Sequence, residues 1–191
     1  LIVGGVSTLV SLGLGVGAAV VLERVRVLGQ PLLEGILLLP LVIPEVMLGV
    51  SLLLFFVIID WPLGLATVTI GHCVFNLPLV IMVIRARLRR IDPIWEEAAR
   101  DLGATSWQAF VYITFPLLRP AILGAGLMAF TLSLDDFIVT FFTTGPGATT
   151  LPLKVFSMMR TGITPEINAF SAILIAISML LIGISLAYQR K

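Results

Sequence analysis

Five apolar runs, each about as long as a bilayer core is thick, constrain this chain more than any motif does. They extend roughly from Leu1 to Leu22, Gly35 to Ile59, Leu63 to Ile84, Leu117 to Phe142 and Ile167 to Ala187. About 20 helical residues cross a hydrocarbon core, and in lipid only a helix or a closed barrel satisfies its own backbone. The runs are too long and too uniformly apolar for barrel strands. The expected architecture is therefore all-α, a polytopic bundle with five spans. Hydrophobic residues make up 59% of the chain and charged ones 12%, against about 25% charged in a soluble domain, which excludes a water-soluble core of this size.

Basic residues orient the bundle, because Lys and Arg are retained on the cytoplasmic side of short loops. Arg24 and Arg26 follow the first run. Arg85, Arg87, Arg89, Arg90, Arg100 and Arg119 lie between the third and fourth, and Arg190 and Lys191 end the chain. A weaving path puts all of these on one face and leaves only Lys154 and Arg160 on the other. The carboxy terminus is then cytoplasmic and Leu1 external. The first residue is not Met and lies directly in an apolar run, so at least one upstream helix is expected, with the chain truncated at its amino end.

One polar segment, residues 92–116, interrupts the membrane pattern. Asp92-Pro93 is an N-cap followed by a first-turn proline, and Glu96 with Arg100 is a favourable i,i+4 pair. A short helix is predicted to run to Leu102. Gly103 then supplies a left-handed C-terminal position, and Thr105 with Gln108 forms a capping box for a second short helix leading to Pro116. Ala98 and Ala99 leave one face of the first helix without bulk, so another backbone can come close.

Acids inside the apolar runs are the second point of chemistry. Glu45 lies within the second run, and Asp135 and Asp136 within the fourth. A carboxylate at membrane depth costs on the order of 3 kcal/mol on insertion scales and normally faces a protein interior or a water-filled path. The alternative is that the three are protonated or hydrogen-bonded between helices, with Pro40 and Pro44 freeing carbonyls for them. As pathway residues they would favour a cation. Asp135 and Asp136 project about 100° apart on a helix, so one of the two is expected to face the lumen.

Single residues exclude other chemistries. One cysteine, Cys73, and one histidine, His72, make no disulfide framework and no metal site, and both read as packing residues. Neither Lys154 nor Lys191 follows a phosphate-binding glycine loop, so no nucleotide cofactor is expected in this chain. The loop from Thr143 to Glu166 is predicted to carry a short interfacial helix, with apolar residues interleaved with Lys154 and Arg160.

The segment Glu97-Ala98-Ala99, Gly103, Ile113 and Pro116 resembles the cytoplasmic signature E-A-A-x3-G-x9-I-x-L-P of permease subunits of ATP-binding cassette importers, with Phe115 where leucine is usual. The resemblance covers essentially the whole chain and is most specific for the polyamine branch. It is carried there by Ile43-Pro44-Glu45 with Gly49, by Ser133-Leu134-Asp135-Asp136, and by the outer segment from Thr144-Gly145-Pro146 through Leu151-Pro152-Leu153-Lys154 to Thr164-Pro165-Glu166-Ile167-Asn168.

This resemblance implies a type I importer permease forming one transmembrane domain over 1–191. Residues 92–116 would be the coupling segment, with Glu97, Ala98, Ala99, Asp101, Gly103, Ile113 and Pro116 as its contact residues. It implies a dimer of ATP-binding subunits holding ATP and Mg, a homologous second permease and an extracytoplasmic binding protein, in the inner membrane, with spermidine or putrescine as the solute. Lipid surrounds the helices and no nucleic-acid partner is expected. Two other classes compete. A proton-coupled carrier would use the membrane acids as relays, and a membrane-embedded enzyme would need a nucleophile and base, which the scattered candidates do not supply.

Overall fold

The computed structural model describes residues 1–25 and 28–161 together with Ala172. Its contacts form two compact units, Leu1–Thr149 and Thr150–Lys191. Among the described residues every regular element is helical.

In the first unit, α1 (Ile2–Arg24) packs beside α4 (Leu65–Leu88) and α7 (Phe115–Asp135). The buried face of α1 is Val3, Gly4, Ser7, Thr8, Ser11, Gly15, Ala19 and Leu22, a stripe of mostly small side chains at helical spacing. Such stripes let membrane helices pack backbone to backbone, where lipid gives no hydrophobic drive for association. A Cβ on Gly15 would lie 2.6 Å from Val80 Cγ1, so α4 comes as close as a glycine allows. The Ser7 carbonyl lies 3.8 Å from Cys73 Sγ, eight residues earlier on α1 and seven earlier on α4, so the two helices run in the same direction. Gly4 meets Phe130 and Gly126 meets Leu12, so α7 runs against them. The core between the three contains Leu22, Val80, Ile81, Ile84, Leu118 and Ala125.

The second apolar run is not one straight span. α2 (Gln30–Leu38) tightens into a 3-10 turn over Leu39–Leu41, and the chain then turns by 104° into α3 (Glu45–Ile58). Pro44 lacks an N–H and disfavours helical geometry in the residue before it, which ends the first helix and starts the second. Glu45, expected well inside the run, is instead the first residue of α3.

The fourth run is also corrected. A rod begins at Ser106, far before Leu117: α6 (Ser106–Ala109) passes through a π-helical stretch, Phe110–Thr114, straight into α7. It stops at Asp135 rather than Phe142. Asp136 is extended, with φ −63° and ψ 124°, and the separate α8 (Ile138–Thr143) follows. The cause is local: the Asp136 carboxylate accepts the N–H groups of Val139 at 3.3 Å and Thr140 at 2.8 Å, capping α8. Glycines seat this short helix, since a Cβ on Gly49 of α3 would meet Phe142 at 2.7 Å and one on Gly71 of α4 would meet Val139 at 2.9 Å.

Among the described residues three rods are thus long and apolar enough to cross a membrane, Ile2–Arg24, Leu65–Leu88 and Ser106–Asp135, and the bent pair makes a fourth if it is one span. Apart from Ala172, the fifth predicted run lies outside the described residues, as do Arg26, Arg190 and Lys191. In the second unit, α9 (Leu151–Thr161) occupies the loop in which a short helix was predicted, with the Arg160 guanidinium 5.1 Å above the Phe156 ring.

Candidate functional site: a basal platform and an acidic cleft

At the end of the bundle where α1 and α4 finish, residues 92–116 form a platform. Asp92 Oδ1 accepts the Ile94 N–H at 3.0 Å and opens α5 (Ile94–Asp101). Gly103 closes it at φ +90°, a conformation that costs other residues steric strain. The Thr105 N–H donates to Gln108 Oε1 at 2.8 Å and the Gln108 N–H returns to Thr105 Oγ1 at 3.3 Å, so the capping box is complete. Glu97, Ala98, Asp101 and Gly103 are exposed, Ala99 is half-buried, and Ile113 and Pro116 are half-buried at the root of α7. The motif is therefore divided, its first part on the surface and its last part anchored in the membrane rod.

Glu96 departs from expectation. Its carboxylate does not pair with Arg100, whose Nε reaches only the Glu96 backbone carbonyl at 3.4 Å. It accepts from Arg24 of α1 at 2.8 Å and from the buried Thr114 hydroxyl in the π-helical stretch. A buried hydroxyl needs a partner, and Arg24 lies within reach only once the bundle has formed. Beside this contact, Arg85 is held between Glu23 at 3.1 Å and Glu34 at 2.9 Å, and Arg89 bonds Glu23 at 3.0 Å. The ends of α1 and α4 are thereby laced to each other and to the middle of α2.

Apolar side chains that sequence reasoning missed also stand out on the platform. Trp95 is 61% exposed, Trp107 71% and Leu102 90%. Their signal was available, since large apolar residues recur in an otherwise polar connector.

The second locus lies where both helix breaks meet. A cleft of about 540 Å³ is lined by Pro40, Leu41 and Ile43 of the elbow, Glu45 at the start of α3, Phe75 of α4, and Asp135, Asp136 and Phe137 at the α7–α8 break. The three acids, from runs 90 residues apart in sequence, thus come to one place, though not in one state. Asp135 and Glu45 are exposed. The Asp136 side chain is only 7% exposed and its Oδ2 lies 3.3 Å from His72 Nε2. His72 is itself 1% exposed and more than packing: Nε2 meets Thr140 Oγ1 at 2.8 Å and Nδ1 meets Ser133 Oγ at 2.5 Å, while Ser133 meets Ser7 at 3.2 Å. A polar thread therefore crosses from α8 through α4 and α7 to α1. A histidine in an apolar run, with Ser133, Asp136 and Thr140 at helical spacing in a later one, was its only trace in the sequence.

Comparison with known proteins places the chain in a family. The family model for the binding-protein-dependent transport system inner membrane component matches residues 11–190. The putrescine transport system permease protein PotI of Escherichia coli K12 is 47% identical over 169 residues, covering 85% of this chain and 60% of that protein. The spermidine/putrescine transport system permease protein PotC of the same strain is 37% identical over 164 residues, covering 86% of this chain and 62% of that one. PotC of Haemophilus influenzae is 38% identical over 173 residues, covering 91% of this chain and 67% of that protein. The chain thus spans about three fifths of the length of the first two relatives. With its apolar rods, divided platform motif and matched length, this multi-pass membrane chain belongs to the family of binding-protein-dependent transport system inner membrane components.

Proposed function

We propose that the chain is the membrane-spanning permease part of an ATP-driven importer of polyamines. The observation that carries the reading is the convergence of Glu45 and Asp135, both exposed, on one cleft built from two helix breaks. Discontinuous helices beside a charged cleft are how membrane transporters offer polar groups to a solute without exposing backbone to lipid. Carboxylates there attract ammonium groups and repel anions. The names of the relatives, putrescine and spermidine/putrescine permeases, support the same cation class.

On this reading α5 with its exposed Trp95 and Ala98, and Leu102 just after it, dock in a dimer of ATP-binding subunits, which hold ATP and Mg and perform the hydrolysis. The platform lies in the cytoplasm, the chain pairs with a homologous permease, and an extracytoplasmic binding protein delivers the solute. ATP binding turns the bundle outward, and the cleft receives the cation from the opened receptor. Glu97 and Asp101 offer charge to the docking partner, while Ala98, Ala99 and Gly103 allow close approach.

Labelled putrescine uptake into vesicles bearing the reconstituted complex tests the proposal, with spermidine and an uncharged diol of similar length as competitors. ATP-dependent uptake blocked by spermidine and not by the diol is expected. Uptake indifferent to ATP, or competed equally by the diol, rejects it. The buried His72–Asp136 pair favours one second reading, a proton-coupled carrier. Collapse of uptake on dissipating the proton gradient while ATP is maintained would select that mechanism instead.

A further inference from the structure

Two adjacent acids at the cleft have opposite fates, and His72 lies at the point that separates them. Thr140 Oγ1 donates its one proton to Asp136 Oδ2 at 2.8 Å. The same hydroxyl can therefore only accept from His72 Nε2, 2.8 Å away, which fixes a proton on Nε2 directed toward Thr140 and, at 3.3 Å, Asp136. Together with the two backbone N–H groups of α8, these donors occupy the Asp136 carboxylate. Asp135, one residue earlier, has none of these partners and is exposed.

We propose that His72 is a positioning residue of the cation path: by holding Asp136 in the cap of α8 it leaves the cleft with two free carboxylates, Glu45 and Asp135, instead of three. This rests on the polyamine reading above. The advantage is kinetic. A site with a third free carboxylate would bind a polyamine more tightly and release it more slowly, and tight binding of the ground state does not speed transfer.

Asparagine and glutamine separate the two ends of the ring. His72→Gln places an amide near the former Nε2 and keeps a donor for Thr140 and Asp136, whereas His72→Asn reaches only the Ser133 side. Putrescine uptake by the complete complex, at equal membrane abundance, is then compared. For His72→Asn we expect KM to fall about tenfold, the effect of one freed carboxylate, with a fall in maximal rate. His72→Gln should stay within about twofold of the parent, and Asp136→Asn added to His72→Asn should return KM to the parent value.

General damage to packing lowers the maximal rate without tightening KM. An unchanged or raised KM in His72→Asn therefore overturns the inference while leaving the importer reading intact. Failure of the parent to import putrescine rejects that reading and the inference with it. Should His72→Asn not assemble, nitrogen-15 histidine spectra of the parent complex, with the His72→Gln complex subtracted to isolate this ring, decide the matter. A ring protonated and hydrogen-bonded at Nε2 supports the arrangement, and an unprotonated Nε2 overturns it.

Discussion

Glu96 and Arg24, 72 residues apart, meet at 2.8 Å and tie the basal platform to the end of α1. The same carboxylate accepts from Thr114 at the root of α7, so α5 is fastened to two membrane rods at once. A push on α5 then reaches both rods without passing through the exposed turn at Gly103. Replacing Glu96 by Gln should weaken this fastening by about 1 kcal/mol, the upper range for a partly exposed pair. The expected outcome is fewer polyamines imported per ATP hydrolysed, by a factor of about 3 to 5. Exchanging the pair, Arg24→Glu with Glu96→Arg, should restore part of the ratio. A ratio unchanged in Glu96→Gln makes the contact incidental.

The platform turn can be tested by itself. Gly103 has φ +90°, so Gly103→Val puts a β-branched residue where an L side chain costs about 1 to 2 kcal/mol. Ala98→Trp adds bulk on the exposed face instead. Both variants should insert normally, lose uptake and retain less of the ATP-binding subunits on purification. If both transport at the parent rate with the subunits still bound, residues 92–116 are only a connector.

Neutralising the exposed cleft acids should separate charge from shape. Glu45→Gln and Asp135→Asn preserve volume, and each should reduce polyamine uptake about tenfold, since one charge-assisted hydrogen bond is worth on the order of 1.5 to 3 kcal/mol. Receptor-stimulated ATPase activity monitors assembly. Asp136→Asn differs, because that side chain caps α8, and its first effect should be a lower thermal midpoint of the complex. Import by both Glu45→Gln and Asp135→Asn at the parent rate would remove the physical basis for a cationic solute.

Close packing of α1 on α4 gives a prediction of stability. In Gly15→Ala the new Cβ would stand 2.6 Å from Val80 Cγ1, and overpacking of this kind costs about 1 to 3 kcal/mol. Gly13→Ala, where nothing lies within 4 Å, should be neutral or slightly stabilising. Thermal unfolding in detergent distinguishes them, and Val80→Ala, which removes Cγ1 but leaves the Val80 Cβ 2.9 Å from the new methyl, should rescue Gly15→Ala only in part. Equal midpoints for Gly13→Ala and Gly15→Ala would show that α1 and α4 separate at little cost.

What could be read in the chain beforehand was whatever local chemistry decides. The helix ends around Asp92, Gly103 and Thr105 follow from side chains bonding backbone two or three residues away, and the apolar rods follow from length and composition. Hydropathy is a sum over a window and carries no direction, so it joined α2 to α3 across Pro44 and carried the fourth run past Asp136. Glu96 was matched with Arg100 because helical neighbours are the only partners a sequence displays, and Arg24 becomes one through tertiary packing. His72 was read as packing for the same reason: its partners Ser133, Asp136 and Thr140 lie on elements whose break was not foreseen.

The elbow at Val42 to Pro44 has a consequence for what can surround it. No side chain caps α3, so the N–H groups of Glu45, Val46 and Met47 begin that helix without helical acceptors. Hydrocarbon offers them nothing. The bend must therefore open onto water or be covered by a polypeptide surface rich in acceptors, and it divides the outside of the bundle into a lipid-bearing perimeter and a side from which lipid is shut out.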